Sequence, residues 1–245
     1  MKYKNYIFDL YGTLIDIHTD EKNPELWEYM ADYLKVHFGT ITNAKDLNQD
    51  YLRLCKEETK KLAKANGSKC PEIKIEWVWE KLIGSPVSEQ KMKKLCIDFR
   101  EKSRDKLERY PGVLEAFAKI KQSGSRIFLL SNAQRLFTEK ELDDTGLTEY
   151  FDDIFISSDA GVKKPDGKFL QALIDKHSLN KEECVMIGNE VIADVGVATA
   201  VGIDAIYLNT YNHPQWDIKR DISRCEADTQ KVTFEDYNKF WGSIS

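Results

Sequence analysis

Asp9-Leu10-Tyr11-Gly12-Thr13 is entered through Tyr6-Ile7-Phe8. Tyr3, Tyr6, Ile7, Phe8 and Leu10 form an apolar run with an aromatic and β-branched bias, which reads as a buried strand. Asp9 closes that run, Gly12 permits a turn, and Thr13 supplies a hydroxyl. A carboxylate at the carboxyl end of a central parallel strand sits where open α/β sheets place their chemistry. The stretch alone equally describes an Asp that caps a turn. Three later segments, all beyond Tyr110, carry the partners that an Asp nucleophile needs.

A length of 245 residues suffices for one large domain or two smaller ones. The 42% hydrophobic and 31% charged content is that of a globular chain. A net charge of -5 argues against nucleic acid or an anionic membrane as main partner. It leaves room for a small anionic substrate in a locally basic pocket. Cys55, Cys70, Cys96, Cys184 and Cys225 are odd in number and irregularly spaced, so neither a zinc site nor a disulfide framework is expected. Reduced thiols, and a start at Met1-Lys2-Tyr3-Lys4 that runs straight into a strand, lead to the expectation of a cytoplasmic protein without a signal peptide. No window reaches the roughly 18 apolar residues of a membrane span.

From 24 to 109 the pattern is helix after helix. Pro24 suits a first helical position, and Trp27, Met30, Ala31, Leu34 and Phe38 recur at helical spacing up to Gly39. Further helices are predicted over 44–65, 71–83 and 88–107. Four amphipathic helices without an intervening strand make a small bundle. Beyond Tyr110-Pro111-Gly112-Val113 strands and helices alternate: helix 114–122, strand 126–130, strand 154–156, helix 166–177, strand 184–187, helix 194–200, strand 205–208, and a last helix near 234–241. Such alternation gives a parallel sheet wrapped by helices. The expected architecture is α/β: a doubly wound parallel-sheet core from 1–16 and 110–245, with the helical bundle of 17–109 inserted after the first strand.

Four groups line up at the sheet end: Asp9 with Thr13, Ser131 with Asn132, Lys164 before Pro165, and Asn189 with Glu190 and Asp194. With Tyr110-Pro111-Gly112-Val113, Gly161-Val162-Lys163-Lys164-Pro165-Asp166, and Gly188-Asn189 through Gly202, the chain resembles the haloacid dehalogenase superfamily over most of its length. The resemblance implies a Rossmann-like hydrolase core under a helical cap. It implies that Asp9 attacks and forms a covalent aspartyl intermediate that water hydrolyses. Thr13 and Ser131 would hold the substrate's anionic group, Asn132 would belong to the same catalytic set, and Lys164 would neutralise charge. Mg²⁺, a hard cation, would draw on Asp9, Tyr11, Asn189, Glu190 and Asp194. Other readings stand beside these. Lys164 reads also as a surface lysine beside Lys163 and Lys168, and Ser131 as a helix N-cap. Asp194 serves either as a ligand or as the group that orients Asn189 or Lys164.

Two departures bear on the reaction. Family phosphatases usually carry a second Asp two residues after the nucleophile as general acid and base, and this chain has Tyr11 there. General acid catalysis is worth about 10²–10⁴-fold, so alkyl phosphate hydrolysis is handicapped. A phenol with a reference pKa of about 10 donates a proton but is a poor base. Asn189 stands where a first Asp is usual and weakens a metal site; Glu190 beside it is the candidate to compensate.

The 2-haloacid dehalogenases share Asp-x-Tyr-Gly-Thr, need no acid for a halide, and lack a catalytic metal. Their early Arg has no counterpart, since Leu26-Trp27 is followed by Glu28; their later Tyr is replaced by Phe169 or Leu170. The spacing from Asn189 to Asp194 looks like the phosphatase branch. The expected function is therefore a Mg²⁺-dependent phosphohydrolase acting on a small anionic metabolite. The alternatives are a metal-independent haloacid dehalogenase and a non-catalytic member that binds a phosphorylated ligand or a protein partner. Specificity is expected in the helical lid, with His18, Arg53, Arg100, Arg104 and the Trp77–Trp79 region as candidates. The sequence leaves the oligomeric state open.

Overall fold

A computed structural model describes residues 2–244. In chain order the elements are β1 (Asn5–Phe8), β2 (Ile15–Thr19), α1 (Pro24–Phe38), α2 (Ala44–Asn66), α3 (Ile75–Ile83), α4 (Glu89–Ser103) and β3 (Arg104–Arg109). They continue as α5 (Val113–Gln122), β4 (Arg126–Ser131), α6 (Arg135–Asp144), β5 (Asp153–Ile156), α7 (Ser157–Ala160), α8 (Gly167–His177) and β6 (Cys184–Gly188). The chain closes with α9 (Gly196–Val201), β7 (Asp204–Leu208), α10 (Gln215–Arg224), β8 (Val232–Glu235) and α11 (Tyr237–Ile244).

The described residues form a six-stranded parallel sheet in the order β5-β4-β1-β6-β7-β8. β1 lies inside it, with Phe8 level with Leu129 of β4 and Ile187 of β6. Because side chains alternate along a strand, Ile7, Phe128 and Met186 join one buried cluster while Phe8, Leu129 and Ile187 join the other. Burial on both faces explains why these strands read as unbroken apolar runs. The strand order reverses on either side of β1, and such switch points bind ligands in doubly wound sheets.

The helices α1 to α4 share a third core. Each contributes at least one large ring to it. Trp27 packs on Tyr51 at 5.1 Å, Tyr51 on Trp79 at 5.2 Å, and Trp79 on Phe99 at 5.2 Å between ring centroids. Trp79 is therefore part of this packed core. The pairing of β2 with β3 closes the crossing where the chain enters and leaves these helices.

Several elements differ from expectation. The helix predicted over 88–107 ends at Ser103, because Arg104–Arg109 pairs antiparallel with β2 in the register Ile17↔Leu107. A pairing partner far away in sequence overrides the helix propensity of Lys, Leu and Glu. The third helix starts at Ile75, not at 71, and the last one at Tyr237, after the edge strand β8. α6 and α10 lie in stretches read as connections. No helix among the described residues is long and apolar enough to cross a membrane.

Candidate active site

Asp9 follows β1 directly, and its amide donates to the Ile187 carbonyl at 2.9 Å. This prolongs the ladder by one residue and aims the carboxylate at the sheet end. Lys164 meets it there, with Nζ 2.7 Å from Asp9 Oδ1 and 2.7 Å from Asp194 Oδ1. The three groups are nearly dry: Asp9 is 8% exposed, Lys164 3% and Asp194 2%. Burial works against the Lys164 ammonium, but the two carboxylates outweigh it and hold its pKa above the ordinary lysine range. Burial, aided by Asp9 and opposed by Lys164, pushes the Asp194 carboxyl up to about 7. The second Asp194 oxygen accepts from the Glu190 amide at 2.9 Å. Its carboxylate lies so close to Gly188 that a Cβ there would sit 2.1 Å from Oδ2, so glycine is required.

The neighbouring strand end supplies hydroxyl and amide. Ser131 is fully buried at the end of β4, and its Oγ has no hydrogen-bond partner among the described residues. A buried hydroxyl without a partner is costly and marks a place where a ligand's acceptor is welcome. Asn132 is engaged with Lys164. Its Oδ1 accepts from the Lys164 amide at 2.8 Å and its Nδ2 donates to the Lys164 carbonyl at 3.1 Å. It clamps the lysine's backbone.

The Asp9 turn is gripped from several sides. Thr13 Oγ1 lies 3.1 Å from Asn189 Oδ1 and 3.4 Å from Asp9 Oδ2, and its single proton serves one of them at a time. Tyr237 donates to the Thr13 carbonyl at 3.1 Å, and Thr210 to the Gly12 carbonyl at 2.7 Å. Gly12 has φ +77°, and a Cβ there would meet Asn189 Nδ2 at 2.3 Å and the Tyr211 hydroxyl at 2.7 Å. Tyr211, Thr210 and Tyr237 were not singled out in the sequence. They come from the polar tail, where no pattern announces a contact with the first strand.

Tyr11 turns away from the acid position expected of it. Its hydroxyl donates to Glu141 Oε2 at 2.5 Å and lies 3.1 Å from Thr138 Oγ1. Burial and the adjacent carboxylate hold the phenol well above its ordinary pKa. Glu190 is exposed and borders a cavity of about 310 Å³ with Asp217, Asp221 and His213. Of the lid candidates, His18 pairs with Asp105 and Arg53 with Asp50 and Glu57 on exposed surface, while Arg100 and Arg104 pair with buried Glu141.

Among the described residues no group of three or more His, Cys, Asp or Glu is arranged to hold a metal. Asp194 is committed to Lys164 and to the Glu190 amide, Glu190 is exposed, and Tyr11 retains only its main-chain carbonyl for such a role. The side-chain oxygens that remain are those of Asp9 and Asn189, which converge on Thr13. All are hard oxygen donors. They fit Mg²⁺, which keeps several waters and takes one or two carboxylates plus substrate oxygens. With one protein charge instead of two or three, the site is a weak one.

The family model described as haloacid dehalogenase-like hydrolase matches residues 3–202. The glyceraldehyde 3-phosphate phosphatase of Methanothermobacter thermautotrophicus is 26% identical over 104 residues, covering 42% of this chain and 46% of that protein. The phosphoglycolate phosphatase of Vibrio cholerae is 29% identical over 113 residues, covering 44% of this chain and 50% of that protein. The chain thus spans about half the length of the curated relatives it matches. Among solved structures, a HAD phosphatase from Thermococcus onnurineus superposes with a TM-score of 0.61 at 18% identity, covering 99% of this chain and 98% of that one. The L-2-haloacid dehalogenase from Xanthobacter autotrophicus gives 0.53 at 17% identity, covering 99% and 98%. These two likenesses show the fold. The chain belongs to the haloacid dehalogenase-like hydrolases.

Proposed function

We propose that this chain is a phosphohydrolase for small phosphorylated metabolites, with Asp9 as nucleophile. The observation that carries the reading is the buried Asp9–Lys164–Asp194 ion triad, with the unpartnered Ser131 hydroxyl at the end of the adjoining strand β4. An Asp9 oxygen forms a bond to phosphorus while the bond to the leaving oxygen breaks and takes the electron pair. Water then attacks the phosphorus of the aspartyl phosphate, releasing inorganic phosphate and the free carboxylate. Lys164 offsets the charge brought together in the first step. Ser131 and Thr13 donate to the phosphoryl oxygens. Asn132 keeps Lys164 in place, and Asp194 holds its ammonium. Asp9 and Asn189 are the residues that would hold Mg²⁺, which supplies further positive charge against the transferring group when bound.

Tyr11 is engaged by Glu141, so no side chain on the Asp9 turn supplies the leaving group's proton. Acyl phosphates, anhydrides and aryl phosphates are therefore favoured over alkyl esters. The relatives' names, phosphoglycolate and glyceraldehyde 3-phosphate phosphatase, support the metabolite class. We read residues 17–109 as a cap over the sheet end, with 1–16 and 110–245 as the catalytic core. The test is turnover of an aryl phosphate with Mg²⁺. The wild type hydrolyses it, Asp9→Asn does not, and full activity in a chelator contradicts the reading.

A second reading is a 2-haloacid dehalogenase. The sparse metal donor set and Tyr11 in place of an acid favour it. It predicts halide release from 2-chloropropionate without metal. No release at high enzyme concentration eliminates it.

A further inference from the structure

Glu141 lies on α6, an element that none of the family-like motifs includes. Thr138, Glu141 and Leu142 share the buried face of that helix, and Glu141 is only 1% exposed. A carboxylate on a packed face needs compensation. Four donors from three chain segments provide it. Arg100 Nε at the end of α4 lies 2.7 Å from Oε1, and Arg100 Nη2 lies 3.5 Å from Oε2. Arg104 Nη1 at the start of β3 lies 3.0 Å from Oε1. The Tyr11 hydroxyl completes the set. The Arg100 guanidinium also covers the Tyr11 ring at 5.5 Å and the Phe137 ring at 5.4 Å.

For stability alone this arrangement is a poor choice. Well-packed apolar residues usually do as well as a buried ion cluster, or better. What the cluster adds is geometry. Tyr11 stands two residues past Asp9 and next to Gly12, so fixing its hydroxyl fixes the turn that aims the nucleophile. Arg100 and Arg104 stand where the chain leaves the helical insertion. One carboxylate therefore ties the nucleophile turn to the root of the insertion.

We propose that Glu141 is a positioning residue: through the Tyr11 hydroxyl it holds the Asp9 turn in register with the Arg100–Arg104 junction, so that the nucleophile is aligned when the insertion is seated. The proposal rests on the phosphohydrolase reading for its kinetic readout but not for its structural one.

The test is a double-mutant cycle with Tyr11→Phe and Glu141→Gln, assayed on an aryl phosphate with Mg²⁺. Tyr11→Phe removes one oxygen and keeps the ring under Arg100, so it folds. Its kcat falls about 10- to 100-fold, the cost of a small misalignment, while KM stays within about threefold. Adding Tyr11→Phe to Glu141→Gln lowers kcat no further, since the two act as a unit. Multiplying losses, or a Tyr11→Phe variant with unchanged kcat, overturns the proposal. If wild-type protein turns over no phosphate probe, the functional reading fails and hydrogen exchange decides the inference. Amides of 10–15 and 100–109 that speed up together in Tyr11→Phe support it, and unchanged exchange overturns it.

Discussion

Replacing Lys164 by Met tests the ion triad with little change in shape. The ammonium contacts Asp9 and Asp194 at 2.7 Å each, and all three side chains are nearly excluded from water. Met fills much the same volume but leaves two buried carboxylates facing each other. Removing one partner of a buried ion pair costs about 3–5 kcal/mol. At roughly 2–4 °C per kcal/mol for a chain of this size, the melting temperature falls by about 6–20 °C. The loss shrinks in acid, because two adjacent carboxylates then share or gain protons.

Catalysis suffers separately. A unit charge about 4 Å from the transferring phosphoryl group, at an effective dielectric of about 20, contributes about 4 kcal/mol. That corresponds to about a thousandfold in the chemical step. Thermal unfolding at pH 5 and pH 8, with single-turnover kinetics on an aryl phosphate, measures both effects. A Lys164→Met protein that melts like wild type at pH 8 and turns over within tenfold of it refutes the argument.

Three further outcomes follow from the same geometry. Gly188→Ala places a methyl 2.1 Å from Asp194 Oδ2, so it unseats the Asp194–Lys164 contact; reduced melting temperature and turnover in calorimetry and initial-rate assays are expected. Asp194 titrates at about 7 in the folded protein against an ordinary 3.8, so between those values the folded state holds a proton that the unfolded chain has released. Its contribution to stability is present below about pH 4 and is lost as pH rises through about 7, and Asp194→Asn flattens that part of the stability–pH curve in denaturant titrations. Asn189→Asp adds a second carboxylate beside Asp9 and lowers the Mg²⁺ concentration for half-maximal activity by about tenfold or more, as a metal titration of turnover will read.

The core strands and their terminal residues were legible because burial on both faces writes unbroken apolar runs into the sequence. Asp9 and Ser131 end or follow such runs, Lys164 lies in the loop beyond α7, and the structure brings Asp9 and Lys164 into contact. What escaped had no local signature. β3 is a charged stretch, Arg104-Asp105-Lys106-Leu107, made extended by pairing with residues nearly ninety positions earlier. α6 hides its period because Thr138 and Glu141 occupy its buried face. α10 buries only Ile218 and Ile222, too thin a stripe to recognise. Tyr11 sits at the position of an acid, but the direction of its hydroxyl is set by Glu141, 130 residues further on. Asp194 read either as a ligand or as a group orienting Lys164, and the structure sets it against Lys164, whereas Glu190, read as a ligand, faces solvent.

The most direct measurement is capture of the covalent intermediate. Protein mixed with an acyl or aryl phosphate and Mg²⁺, quenched in acid and digested, is analysed by mass spectrometry for the peptide holding Asp9. A phosphoryl group is expected on that peptide alone, absent in Asp9→Asn, with heavy oxygen from labelled solvent appearing in the released phosphate. Turnover with no modified Asp9 at any quench time, or undiminished turnover by Asp9→Asn, contradicts a covalent Asp9 intermediate.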